Sequence, residues 1–154
     1  MDFRFTPEEE AFRQEVRQFL DQELPPGWDD QVDAETEEGA NALAEMGARL
    51  SKKMGERRWV AMAWPPEYGG LGASYAQQVI FSEEVAYKEA PVVYSMGVNW
   101  VGPSIMLYGT DEQKKRFLPP IAGGEEFWCT LYSEPGAGSD LAALSTRAVA
   151  DGDE

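Results

Sequence analysis

Three copies of one short signal constrain this chain more than any other feature: a hydroxyl residue followed three positions later by Glu or Gln. Thr6-Pro7-Glu8-Glu9, Ser74-Tyr75-Ala76-Gln77 and Thr110-Asp111-Glu112-Gln113 all fit it. In such a capping box the hydroxyl accepts from the third helical N–H, while the Glu or Gln side chain accepts from the cap's own N–H. Two donors that a helix start would otherwise strand are thereby satisfied together. Each cap is worth about 1 kcal/mol, enough to locate a helix end but not to build a core.

The residues behind these caps carry helical periodicity. Phe12, Val16, Phe19 and Leu20 share one face of a helix that starts after Thr6 and stops at Pro25-Pro26-Gly27. An acidic connection over 28–38 leads to a second expected helix over 39–56, with Leu43, Met46, Leu50 and Met54 in step. The stretch Trp64-Pro65-Pro66-Glu67-Tyr68-Gly69-Gly70-Leu71-Gly72 is too rich in proline and glycine for helix or strand and reads as an ordered loop. Further helices are expected from Ser74 to Lys88, from 93 to 108 with a kink at Gly102-Pro103, and from Thr110 to a stop at Pro119-Pro120. Then the period changes. Phe127 to Tyr132 is aromatic-rich and of strand length, and Ala143 to Ala150 reads as a second strand before the hairpin signal Asp151-Gly152. The expected architecture is therefore mainly α, a helical domain over 1–124 followed by the first strands of an incomplete β domain over 125–154.

Composition removes several function classes. The chain of 154 residues has no histidine, which excludes Ser-His-Asp and Cys-His nucleophiles, histidine-bearing metal sites and imidazole catalysis. No metal site is expected. A formal net charge of −15 repels nucleic-acid phosphates. The single cysteine, Cys129, cannot form an intramolecular disulfide and reads as a buried, inert thiol in an apolar strand. With no signal-peptide layout and no membrane-length apolar run, a cytoplasmic protein is expected. Adjacent Glu83 and Glu84 make a poor acid–base pair, and Glu84 with Lys88 reads as a solvated helical ion pair.

The segment closest to chemistry is Thr130-Leu131-Tyr132-Ser133-Glu134-Pro135-Gly136-Ala137-Gly138-Ser139-Asp140. In isolation its glycine-rich part reads first as a plain turn between strands. The functional alternative is a backbone nest for phosphate or pyrophosphate, with Ser139 adding a hydroxyl donor. A dinucleotide fingerprint fails because the third glycine position holds Leu141, and no lysine follows as in a P-loop. Trp64 reads as a core wedge before a cofactor wall. The apolar run Val93 to Leu107, with Met96 and Trp100, reads as core before the wall of an apolar pocket.

Four pieces in order — Phe5-Thr6-Pro7-Glu8, the loop 64–72, Tyr108 to Lys114, and Tyr132 to Asp140 — resemble the acyl-CoA dehydrogenase family across essentially the whole chain. The spelling Leu-Tyr-Ser-Glu-Pro looks like bacterial branches, some of which handle steroid side chains or other bulky acyl groups. The resemblance implies an amino-terminal helical domain, a central β domain and a carboxy-terminal helical bundle. It also implies FAD as cofactor, α,β-desaturation of an acyl-CoA thioester, electron-transfer flavoprotein as acceptor and homo- or hetero-oligomers. Carried over, Leu131, Tyr132 and Ser133 line the flavin ring, Gly138 and Ser139 meet the FAD pyrophosphate, and Ser139 also approaches the CoA arm. Met96 and Trp100 face the acyl chain. The family's catalytic glutamate has no counterpart here, so no catalytic residue is assigned and the chain is expected to be a fragment, inactive alone. A non-catalytic assembly module, one piece of a split enzyme, and the chemistry of related flavin oxidases and monooxygenases are the competing expectations.

Overall fold

The computed structural model describes residues 4–28, 32–92, 96–147, 149, 150 and 152. Its α-helices are α1 (Pro7–Glu23), α2 (Glu37–Glu56), α3 (Tyr75–Tyr87), α4 (Gly102–Tyr108) and α5 (Asp111–Ala122). All three capping boxes form, each with both reciprocal bonds, so α1, α3 and α5 begin where the local signal puts them. A Thr36 cap adds two residues to the start expected for α2.

The core gathers where α1, α2, α3 and α5 surround the irregular segment 59–64. Val16, Phe19 and Leu20 of α1, Leu50 and Met54 of α2, Phe81 of α3, and Leu118 and Ile121 of α5 are buried together with Trp59 and Trp64. Trp59 meets Phe12, Phe19 and Phe81 edge-on, at centroid distances of 5.8, 5.2 and 5.8 Å. Each such pair adds about 0.5–1.5 kcal/mol beyond the area it buries. Trp64 is the wedge its position suggested, with 5% of its surface exposed.

Two helices stop on a left-handed residue that is not glycine. After α2, the N–H of Trp59 bonds to Met54 O and that of Arg58 to Gly55 O, with Arg58 left-handed at φ 60°. After α3 the same pair of bonds places Glu89 at φ 49°. Both are Schellman stops, a position usually held by glycine.

Helix α5 runs through the expected stop at Pro119-Pro120 to Ala122. A proline keeps helical φ and removes one N–H, and burial of Leu118, Ile121 and Ala122 carries the helix on to a Gly123-Gly124 stop. The helix expected from 93 is interrupted before the Gly102-Pro103 kink by a π-helical turn, Gly97–Val101; residues 93–95 lie outside the described residues. The expected strands 127–132 and 143–150 carry no ladder among the described residues, and position 148 and Asp151 of the hairpin signal lie outside them. Strand geometry needs a neighbour to take its N–H and C=O groups, and the described β pairing is a bridge between Glu134 and Ala137 within one turn.

Candidate functional site

An aromatic groove opens where the π-turn, α4 and α5 meet the segment leading into the glycine-rich loop. Trp100, Ile105, Tyr108, Phe117, Trp128 and Tyr132 are among the residues surrounding a cavity of about 530 Å3. Trp100, half exposed at 50%, stacks on Tyr132 with ring centroids 6.4 Å apart and planes 23° from parallel. Phe117 meets Trp128 edge-on at 5.5 Å. The Trp128 Nε1 donor is buried and has no hydrogen-bond partner among the described residues. Polar side chains at the groove include Ser104, Gln113 and Thr130 beside the tyrosine hydroxyls, and among the described residues no carboxylate lines it. Its chemistry is that of an apolar, π-rich receptor rather than an acid–base centre.

The glycine-rich loop leaves the groove at Ser133. Glu134 and Ala137 exchange backbone bonds of 2.9 Å across Pro135-Gly136, and Ala137 is buried. The Glu134 carboxylate then reaches the far limb of the loop. It accepts from the Ser145 N–H at 2.5 Å and hydroxyl at 2.8 Å, and from the Thr146 N–H at 3.0 Å and hydroxyl. The Thr146 hydroxyl, followed by the N–H and hydroxyl of Ser145, holds this carboxyl down to about 2. The loop from Glu134 to Thr146 is thus closed at its neck by one side chain. A Cβ placed on Gly136 or Gly138 would meet nothing within 4 Å, so these two glycines answer to no protein neighbour among the described residues.

Of the residues singled out by sequence, the fold brings Trp100 and Tyr132 into direct contact. Leu131, Ser133, Gly138 and Ser139 stand exposed along the adjoining segment. Met96 is half-buried at the start of the π-turn and does not line the groove. Sequence reasoning missed the Glu134 clasp, whose partners are 11 and 12 residues away with no periodic signal. It also missed Phe117 and Trp128 as groove walls, although the aromatic run 127–132 hinted at Trp128.

Two expectations need correction. Cys129 is exposed, because no second layer of described residues covers the 127–132 segment. Glu84 is not paired with Lys88. It is 2% exposed and binds Arg13 at 2.6 Å and Arg17 at 2.7 Å, while Lys88 pairs with Asp21. Glu83 and Glu84 also converge on Arg13, which holds Glu83 at 2.8 Å. Among the described residues no helix is long and apolar enough to cross a membrane.

Residues 6–125 match the family model described as the acyl-CoA dehydrogenase N-terminal domain. Acyl-CoA dehydrogenase FadE26 of Mycobacterium tuberculosis is 42% identical over 154 residues, all of this chain and 38% of that protein. The crystal structure of the ChsE4-ChsE5 complex from Mycobacterium tuberculosis matches with a TM-score of 0.77 and 42% identity, over 99% of this chain and 37% of that one. The Tcur3481-Tcur3483 steroid ACAD matches with a TM-score of 0.77 and 38% identity, over 99% of this chain and 38% of that one. The chain therefore spans about two-fifths of the length of these relatives.

Proposed function

The chain belongs to the acyl-CoA dehydrogenase family, and on that premise we propose that it forms the amino-terminal wall of a site for FAD and an acyl-CoA thioester. The observation that carries this reading is the stack of Trp100 on Tyr132. It joins the helical region to the segment entering the glycine-rich loop and makes one apolar groove beside one candidate anion cradle.

The residues present suit FAD. Gly136 and Gly138 have open space where side chains would stand, and Ser139 adds an exposed hydroxyl beside it. In this reading Gly138 and Ser139 hold the pyrophosphate, Leu131, Tyr132 and Ser133 border the ring system, and Ser139 also meets the CoA arm. When bound, the flavin supplies a hydride acceptor. The chain's own contribution is positioning. Trp100 and the groove take the acyl chain, Met96 supports the start of the π-turn, and the apolar walls exclude water from the reacting carbons.

Removal of the α-proton needs a base, and no carboxylate among the described residues lines the groove. We assign that base to a part of the family architecture outside residues 1–154, and with it the remainder of a β domain that begins near residue 125. Electron-transfer flavoprotein is the proposed acceptor and the cytoplasm the proposed location. The ChsE4-ChsE5 complex and the steroid ACAD among the relatives favour hetero-oligomeric assembly and a bulky acyl group.

The test is calorimetric titration of the 154-residue chain with acyl-CoA thioesters and with free CoA, alongside a dye-reduction assay. Binding is expected to require the acyl group and to weaken about tenfold in Trp100→Ala, since losing an aromatic contact and its buried area is worth roughly 1–2 kcal/mol. No turnover is expected from the chain alone. Equal binding of free CoA, or an unaffected Trp100→Ala, overturns the groove reading. Turnover overturns the assignment of the base.

A further inference from the structure

The π-turn under the groove is held by a residue remote from it in sequence. In this turn the Gly102 N–H bonds to Gly97 O, five residues back, in place of the usual four. Such turns are rare, and they persist where the surroundings satisfy the backbone groups they displace. Here the Trp64 indole N–H, buried in the core, donates to Val98 O at 3.0 Å across 34 positions of sequence. The Trp64 ring lies so close to the backbone at the junction with α4 that a Cβ on Gly102 would overlap its Cζ2 and Cη2 atoms. On the other side, a Cβ on Gly97 would stand 3.3 Å from Ile121 and 3.4 Å from Trp128. The turn is therefore clasped between Trp64 and α5. Two positions after the carbonyl that Trp64 holds comes Trp100, pushed out to half exposure and laid on Tyr132.

We infer that Trp64 is a positioning residue that sets the width of the acyl groove, by holding Val98 O and so fixing where Trp100 stands. This rests on the groove being the acyl site, but the geometric part can be tested without any ligand. Freed of its indole donor, Val98 O has only intrahelical donors to turn to. The turn then tightens toward α-helical geometry, Trp100 withdraws from Tyr132, and the groove widens. Trp64 does not line the groove, so it governs which acyl shapes fit rather than the chemistry.

The experiment replaces Trp64 with 3-benzothienylalanine, which keeps the bicyclic ring and lacks the N–H, with Trp64→Phe in parallel. In chain carrying labelled tyrosine, the Tyr132 ring resonances are identified by their shift in Trp100→Ala. We expect the benzothienyl variant to reproduce more than half of that shift while its thermal unfolding stays cooperative. Tyr132 resonances that remain at their parent positions overturn the inference, whatever the protein binds. For ligand selectivity the readout is the ratio of affinities for a ring-bearing and a straight-chain acyl-CoA, which does not depend on the folded fraction. That ratio is expected to rise about fivefold or more in the benzothienyl variant; a ratio within twofold of the parent overturns the role in selectivity. An unaltered affinity in Trp100→Ala with a moved Tyr132 signal would instead remove the groove reading and leave the Trp64 clasp standing.

Discussion

Replacing Glu84 with Gln should be among the most costly single-atom changes available to this chain. Glu84 is buried on α3, and its two oxygens bind Arg13 and Arg17 of α1 at 2.6 and 2.7 Å. Removing one partner of a buried ion pair typically costs about 3–5 kcal/mol, because the other charge is stranded. Two features lower that figure. Arg17 has 46% of its side chain in solvent, and Arg13 keeps Glu83 at 2.8 Å. The expected loss is therefore about 2–3 kcal/mol by urea unfolding at neutral pH, or roughly 5–10 °C in Tm for a domain of this size. A double-mutant cycle with Arg17→Ala should return a favourable coupling between the two side chains. The pH dependence has a definite sign. Burial pushes the Glu84 carboxyl upward, but the hydrogen bonds and charges of Arg17 and Arg13 together outweigh it, leaving the group below 4.5. Its contribution is thus fully present above 4.5 and lost as pH falls through the folded value, so parent and Glu84→Gln should converge in acid. A loss under about 0.5 kcal/mol at neutral pH, or a deficit as large near pH 3 as near pH 7, would refute the reasoning.

Gly55→Ala should destabilise by about 3 kcal/mol in the same urea assay, because its Cβ would overlap the backbone of Gly123, which cannot swing aside as a side chain would. In Glu134→Gln, amide exchange at Ser145 and Thr146 should accelerate, since an amide offers one acceptor oxygen in place of two. In the parent chain the Glu134 carboxyl should titrate near about 2, so the clasp holds at 4.5 and above and opens as pH falls toward that value; a carboxyl resonance titrating at 4.5 contradicts it. Glu89→Gly should stabilise by up to about 1 kcal/mol, the relief of left-handed strain at φ 49° exceeding the added chain entropy; a lower Tm would count against that balance.

The starts of α1, α3 and α5 were legible in the sequence because a capping box is complete within four residues. Helix ends were less so. The stops after α2 and α3 use Arg58 and Glu89 in the left-handed conformation, held by buried neighbours such as Trp59 that no local pattern announces. Helix α5 passes Pro119-Pro120 for a similar reason, since core burial of Ile121 and Ala122 outweighs two missing donors. Glu84 looked like half of a pair with Lys88 because sequence displays i, i+4 neighbours and hides those 67 and 71 positions away. In the candidate site, Trp100, Tyr132 and the glycine-rich loop were visible from the start, and Phe117 was not. What periodicity could not supply was the π-turn, which depends on one bond between Trp64 and Val98.

That turn also shifts the phase of the helix it interrupts. An α-helix advances about 100° per residue, so a turn closed over five residues instead of four holds one residue too many. Met96 and the backbone after Val101 are therefore out of register by roughly that angle on the α-helical lattice. A chain one residue shorter between 97 and 101 could run straight through as an ordinary helix and keep its core contacts on one side of the junction, but not on both. Either Gly97 and Val98 would lose the buried face against α5, or Ile105 and Tyr108 would turn away from the groove. Insertions and deletions in most helices are absorbed at their ends. In this one, a change of length at the π-turn is a change in the shape of the cavity.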